Sequence, residues 1–549
     1  MARAALAALP LVCGFMLLIP ATPASAHAIL RATTPADGEA LDVAPSSVSL
    51  EFNEPVSTSA GGVRVFNQEA RRVDQGDAAT AEGSTTSLQV RLNDGLGDGT
   101  YVVSWRALSA DSHPVHGAFV FTVGDATPDE DAITEILAGS SDAGLQVAAS
   151  ITRFAQYAAA LLAAGGVIFL LWVHDRRESD RTPLVRVATL AAGGAFLLTV
   201  AGVAVQAALA TGLGIGAAFD MAALRDVMGS TFGARTLGLV VGAVLVLVGV
   251  RGVWRSAPVM IAAAGAVILM GSFALTGHTA TTDPRWLVMT ADIVHTVAGA
   301  AWFGGLVFLL LTLHRRSLAD DPVGAATVVS RFSTLATGAI VAVSAAGTAL
   351  GWAEVRALRA LLPTTYGKTL VAKLVLVGLV LLVGAYNKRR LVPAVATAGE
   401  RAWATLRKTV RLEIVGLVMV IAVTAVLVNV VPAREAAGVT GPLSVREEMG
   451  DDHLLDVTID PNRVGPNQMH LYLFGADGRP VDAEGLTVQL TMPAQEIGPI
   501  EREPSKVATG HWTVSPVEFP IPGRWIVRVA AAVSRFSDAT AEITVDVGG

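Results

Sequence analysis

The chain is 549 residues long, 52% hydrophobic and only 16% charged, with a mean hydropathy of +0.54. That is too apolar for a soluble multidomain protein and too charged for a chain immersed in lipid throughout, so a membrane core with soluble ends is expected. A formal net charge of −7, with no zinc-finger or helix-turn-helix spacing, excludes a basic nucleic-acid-binding surface.

Residues 1–26 read as a secretory signal peptide, with Arg3, an apolar run from Leu11 to Ile19 and an Ala24-Ser25-Ala26 cleavage site. Cys13, the one cysteine, falls inside it. A mature chain starting at His27 then offers no thiolate, so a metal must be held by nitrogen, oxygen or thioether. Residues 27–124 contain short alternating runs, among them Val48–Phe52, Val63–Phe66, Leu88–Leu92, Tyr101–Trp105 and Phe119–Phe121, broken by Gly, Asp and Pro. Period two with such breaks predicts an antiparallel β-sandwich. Residues 125–149 are an acidic linker with one short helix expected at Ile133–Leu137.

Residues 150–431 contain about eight apolar stretches long enough to cross ~30 Å of hydrocarbon as helices. They begin near Ile151, Leu184, Thr236, Pro258, Leu287, Phe332, Leu370 and Leu412. Alternate loops are rich in cations: Arg176, Arg177 and Arg181; Arg251 and Arg255; Arg315 and Arg316; then Lys388 to Arg390 and Arg401 to Arg411. Those loops are expected in the cytoplasm, which puts both ends of the chain outside. His174 and His314 stand beside these arginines and read as interfacial anchors. In residues 432–549 alternation resumes at Leu454–Ile459, Met469–Leu473, Leu486–Leu490 and Trp525–Val529, predicting an extracytoplasmic immunoglobulin-like β-sandwich. The expected class is a multidomain membrane protein with a β-sandwich at each end of an eight-helix transmembrane bundle.

His27, freed by cleavage after Ala26, would present its α-amine and imidazole from one position. Asp111-Ser112-His113 adds a carboxylate and a second imidazole on one face of an extended segment. Nitrogen-rich tetragonal coordination with one oxygen suits Cu(II). The alternative is that Asp111 and His113 only shape the turn before Pro114. A histidine just after a cleavage site has little structural work to do, since termini are poorly ordered unless tied down.

His27-Ala28-Ile29-Leu30, Phe52-Asn53-Glu54-Pro55-Val56 and Asp111-Ser112-His113-Pro114-Val115-His116-Gly117 resemble the CopC copper-binding proteins. The resemblance implies a Cu(II) site of His27, Asp111 and His113 with Glu54 as outer partner; His116 is a lesser candidate. Residues 27–124 hold no methionine, so the Met-rich Cu(I) site of some CopC proteins is absent.

Ionisable residues inside spans are costly and read as functional. Thr276-Gly277-His278 ends the fourth span, while Asp292 and His295 lie one turn apart in the fifth. With Trp302-Phe303-Gly304-Gly305, Tyr366-Gly367-Lys368, Lys373, Asn387-Lys388-Arg389 and Arg411-Leu412-Glu413, these resemble the CopD membrane proteins. The whole order resembles the YcnJ-type CopC–CopD fusions. His278, Asp292 and His295 form a candidate transport path, with Met270 and Met289 as thioethers if the ion moves as Cu(I). The alternative is that Asp292 and His295 pair with each other, or with a lysine, and lock the bundle. The last domain resembles the YtkA-like sandwich; His470, His511 and Met492 are its metal candidates against a structural reading, and Ile497-Gly498-Pro499 departs from the pattern.

Copper binding outside the membrane and copper import across it is the expected function, the direction resting on resemblance. No Walker A or phosphorylated-Asp ATPase motif is present, and no enzymatic activity is expected. The rivals are extracytoplasmic copper sequestration without net transport and a haem-bearing electron carrier that reduces Cu(II). The expected partners are copper, as Cu(II) or Cu(I), and the lipid bilayer, with no nucleic acid.

Overall fold

The structure is a computed structural model. It describes residues 28 to 547 except 29, 37, 53–54, 59–61, 82, 110–113, 125–142, 212–215, 217–218, 253–255, 357–360, 363, 396–398, 431–432, 434–442, 451–452, 461, 463, 476–478, 496 and 535–536. The signal-peptide expectation and the short helix at Ile133–Leu137 lie outside the described residues.

The first β-domain is built from β1 (Leu30–Thr34), β2 (Glu39–Leu41), β3 (Ser47–Phe52), β4 (Val56–Ser57), β5 (Val63–Asn67), β6 (Ala79–Thr80), β7 (Ser87–Arg91), β8 (Gly99–Ser109) and β9 (Pro114–Val123). One sheet runs β1-β3-β7-β6 and the other β2-β9-β8-β4, with β5 also on β8. In β3 and β7 alternate residues are buried, so Val48, Leu50, Phe52, Leu88 and Val90 meet Val63, Val65, Val103 and Phe121 in a core. The pairing is antiparallel with one exception, β2 on β9, which is parallel. Phe52 closes edge-on upon Trp105 with ring centres 5.3 Å apart. Gly117 opposite Trp105 is required by space, because a Cβ there would approach the indole to 2.7 Å.

The helices are α1 (Ala143–Trp172), α2 (Glu178–Thr211), α3 (Met221–Gly229), α4 (Thr231–Val250), α5 (Ser256–Gly271), α6 (His278–Thr281), α7 (Arg285–Leu318), α8 (Pro322–Val355), α9 (Thr365–Tyr386) and α10 (Gly399–Leu427). Eight of them, all but α3 and α6, are long and apolar enough to cross a membrane. Each expected span start falls inside one of these eight. Most begin several residues earlier, because hydropathy marks the apolar window and not the polar first turn. The short helix α3 was not foreseen; the Asp220 carboxylate caps it by accepting from the backbone N–H of Ala222 and Ala223.

Close helix contact rests on small residues. Gly165 of α1 and Gly304 of α7 cross so tightly that a Cβ on Gly304 would come within 2.7 Å of the Leu161 carbonyl oxygen. The ends of the helices sort into two groups. Near one group, Arg153, in the first half of α1, bonds Asn429 beyond α10, and Arg64 of the first β-domain donates to the Thr211 carbonyl at the end of α2, 3.2 Å away. At the C-terminus of a helix a guanidinium also complements the helix dipole.

The C-terminal region, residues 443–547, belongs to a second compact unit that also includes Val355–Lys368. It contains β10 (Leu443–Met449), β11 (His453–Asp460), β12 (Gly465–Gly475), β13 (Gly485–Met492), β14 (Ile497–Arg502), β15 (Ser505–Ala508), β16 (His511–Phe519), β17 (Gly523–Ser534) and β18 (Ser537–Val547). Two antiparallel sheets, β10-β11-β12-β16-β15 and β14-β13-β17-β18, enclose a core around Trp525, Phe519, Leu471 and Val488.

Candidate functional site

His27, Glu54, Asp111 and His113 lie outside the described residues. Their described neighbours converge at one end of the first sandwich. Leu30 pairs with Phe52, Leu108 with Pro114, and Val56 with Ser109. Ala28 is buried in the same core. His116 stands opposite Arg106 with its side chain exposed.

In the helical region, His278 opens α6, and its side chain lies outside the described residues. Asp292 accepts a 3.3 Å hydrogen bond from Thr279 Oγ1 of α6. His295, one turn further along α7, makes no bond to Asp292; its Nδ1 lies 3.2 Å from the Val343 carbonyl oxygen of α8. A carbonyl only accepts, so Nδ1 carries the proton, and in the neutral ring Nε2 keeps its lone pair. Gly347 leaves room for this ring: a Cβ there would sit 3.2 Å from Cε1. The Lys373 ammonium on α9 interacts electrostatically with both Asp292 and His295. Met270 packs against Leu269, Leu239 and Phe273, whereas Met289 packs with Ala274 and Ile293, so the two thioethers belong to separate apolar clusters.

Nearer the opposite end of the bundle is a second polar cluster, whose role sequence reasoning did not single out. A π turn at Asn387–Leu391 follows α9, a local irregularity often found at functional sites. Asn387 donates through Nδ2 to the buried Glu413 of α10, which the Trp302 indole also bonds. Lys388 Nζ reaches Thr337 Oγ1 at 2.6 Å. These residues and Phe332 line a cavity of about 70 Å³. Asn387 Oδ1 is buried there without a hydrogen-bond partner among the described residues, which is costly unless a ligand or water completes it.

His174 corrects its reading as an interfacial anchor. Its side chain is fully buried, with Nδ1 accepting the Arg176 backbone N–H at 2.9 Å, so Nε2 holds the proton and donates to Asp180 at 3.2 Å. Burial above all holds this imidazole below the usual histidine range, against the pull of Asp180 and Asp175. Donor atoms of His174, Asp175 and Asp180 group within 4.8 Å as a metal site would. The Arg316 guanidinium already fills the space between the carboxylates, bonding Asp180 at 2.9 Å, Asp175 at 2.6 Å and Asp321 at 2.6 Å. The cluster is an ion-pair latch tying the α1–α2 turn to the end of α7. The signal for it was the charge run Asp175 to Arg181, of which only the arginines were weighed, as a mark of a cytoplasmic loop.

In the C-terminal unit, His470 and His511 lie together with Tyr472 on β12 and β16. Met492 belongs to that unit's core.

Three family models match the chain: CopC domain over residues 30–124, copper resistance protein D-like N-terminal domain over residues 144–285 and copper resistance protein D over residues 326–427. The chain is 26% identical over 483 residues to the copper transport protein CutJ of Bacillus subtilis, covering 85% of each. It is 33% identical over 98 residues to YobA of Escherichia coli K12, covering 18% of this chain and 79% of that protein. Copper resistance protein C of Pseudomonas syringae pv. tomato is 30% identical over 105 residues, with 18% and 82% covered. Among solved structures, CopC from Methylosinus trichosporium OB3b is 26% identical and covers 19% of this chain and 98% of its own, with a TM-score of 0.17.

Proposed function

This chain belongs to the copper-resistance family in which a CopC domain is joined to CopD membrane domains, and from that premise we propose that it captures Cu(II) outside the membrane and carries copper inward across it. Capture is by the His27 amine and ring with Asp111 and His113, and Glu54 supports them from outside the coordination shell. The convergence of their described neighbours at one end of the sandwich supports this assignment. Residues 1–26 act as the signal peptide that frees His27, and both β-domains lie outside.

The path through the bilayer begins near His278, Asp292 and His295. The observation that carries it is the His295–Val343 hydrogen bond, which fixes the ring and leaves Nε2 as an unprotonated donor inside a span. The cavity beneath Trp302, with Glu413 and Asn387, is the next polar station along α7. Seven residues separate His295 from Trp302, about 10 Å of helix rise. The arginine-rich ends and the exposed apolar faces of α8 and α9, among them Val341, Leu379 and Leu382, agree with a bilayer around the bundle and the latch on the cytoplasmic side.

Cellular copper measured in strains carrying the gene, lacking it, or carrying His295→Ala tests the reading. Import predicts less cytoplasmic copper in the deletion strain and in His295→Ala. Equal copper in all three strains, with more of it held outside when the gene is present, would establish sequestration instead. A Soret band in the purified protein would establish the haem carrier.

A further inference from the structure

The C-terminal unit carries a histidine pair that the proposed path does not use. β12 and β16 run antiparallel, with Tyr472 opposite His511 and Thr513 opposite His470. Met469, Leu471, Trp512 and Val514 point into the core, so the alternating residues His470, Tyr472 and His511 share the other face of the sheet. The two histidines are therefore diagonal neighbours across one strand pair, a separation that long or aromatic side chains bridge.

They bridge it closely. His470 Nδ1 lies 3.0 Å from His511 Nε2, and the ring centres are 5.3 Å apart at 26°. The Tyr472 ring stacks on His511 at 4.3 Å and 15°, fixing that imidazole from behind. His511 is 9% exposed, whereas His470 is half-buried and opens the pair to solvent.

Two ring nitrogens at this distance must share one proton, one donating and the other accepting. When the donor ring carries its proton on its other nitrogen instead, both rings stay neutral and two lone pairs point at a common place. Two imidazole nitrogens bound side by side to one ion, each about 2.0 Å from it and about 90° apart, are about 2.8 Å from each other. The pair therefore needs a change of tautomer in one ring and little movement to take up a metal between two neutral imidazoles. A digonal ion would need the nitrogens about 4 Å apart, so tetragonal Cu(II) fits the separation better than linear Cu(I). Imidazole is a fitting ligand, and copper leads the divalent affinity order.

We propose that His470 and His511 are neighbouring ligands of a second Cu(II) site, in the C-terminal β-domain, with water completing the coordination. This site stands on its own strands and does not depend on the ligands assigned in the first domain.

Full-length protein in detergent, titrated with CuSO4 and followed by electron paramagnetic resonance, tests it. His470→Ala and His511→Ala are each expected to lose one nitrogen-coordinated copper per chain. His113→Ala is expected to lose a different one, so failure of the first-domain assignment reads out separately. Because a variant can misfold, the unmodified protein is also footprinted with diethylpyrocarbonate. Copper-dependent protection of both His470 and His511, retained in excess Zn(II), supports the site. Unchanged copper counts in folded variants, or equal modification of the two histidines with and without copper, overturns it.

Discussion

His295 reaches across from α7 to α8 and donates its Nδ1 proton to the carbonyl oxygen of Val343, 3.2 Å away. The bond selects one neutral tautomer and aims the other nitrogen away from α8. A carbonyl that orients a metal-ligating histidine through its other ring nitrogen is worth 10–100-fold in affinity or activity when lost. His295→Ala is expected to lower copper accumulation by at least about tenfold, leaving the copper content of the two β-domains unchanged. Gly347→Ala should do part of the same, because the new Cβ stands 3.2 Å from the ring and turns it away from Val343. Uptake of radioactive copper by intact cells checks both; normal uptake in folded His295→Ala removes this residue from the path.

Gly304 fits against Gly165 where α7 crosses α1, and neither position has space for a methyl group. A Cβ on Gly165 would lie 2.0 Å from the Ala300 carbonyl oxygen, and the contact is with backbone, which cannot swing aside. Gly165→Ala and Gly304→Ala should each destabilise the bundle by about 1–3 kcal/mol through overpacking. Gly299, on the same helix with open space around its missing Cβ, is the matched control: Gly299→Ala should be neutral or slightly stabilising. Thermal unfolding of the purified protein distinguishes them.

Arg316 is 2% exposed at its side chain and Asp180 3%. Removing one partner of a buried ion pair leaves an uncompensated charge and costs roughly 3–5 kcal/mol. Among the described residues, Arg316→Met leaves the buried Asp180 side chain with only the neutral His174 imidazole and Asp321 with only Arg177 as a cationic partner, and is expected to cost that much. Arg316→Lys should recover only part of it, since an ammonium lacks the planar fork that reaches three carboxylates. If Arg316→Met unfolds at the parent's temperature, the latch is an incidental surface cluster.

The eight long helices were legible because a span must be apolar over its whole length, and that leaves an unmistakable hydropathy pattern. The strands were legible by period two, although Tyr101–Trp105 marks only part of β8, Gly99–Ser109. Its inner positions are buried on both faces, and a strand buried on both sides loses alternation. Asp292 and His295 were visible as ions out of place in an apolar run, read as a transport path with pairing to each other or to a lysine as the alternative. Helical period puts them on one face; only packing decided that one meets Thr279 and the other Val343. Asn387 and Glu413 are 26 residues apart, and nothing local signals that a π turn joins them. His470 and His511 are 41 residues apart, and strand register alone makes them neighbours.

That pair also has a consequence for stability in the absence of metal. Burial, and next the neighbouring His470, push the His511 imidazole down to about 4 from an ordinary value of 6.5. Between those two values the unfolded chain binds a proton that the folded domain refuses, so stability rises with pH across that window. The contribution is complete above pH about 6.5 and lost progressively as pH falls towards about 4. Tyr472 stacks on the ring and brings no charge at these pH values, and Asp456, opposite Tyr472, is engaged by Arg446 at 2.8 Å. His511→Gln removes the titrating group while keeping a polar side chain. The metal-free parent should therefore lose unfolding temperature between pH 7 and pH 4.5 more steeply than His511→Gln, with the two curves separating on the acid side. Parallel curves would mean that His511 takes up its proton in the folded domain as readily as in the unfolded chain, and that the imidazoles are not held in the shared-proton contact.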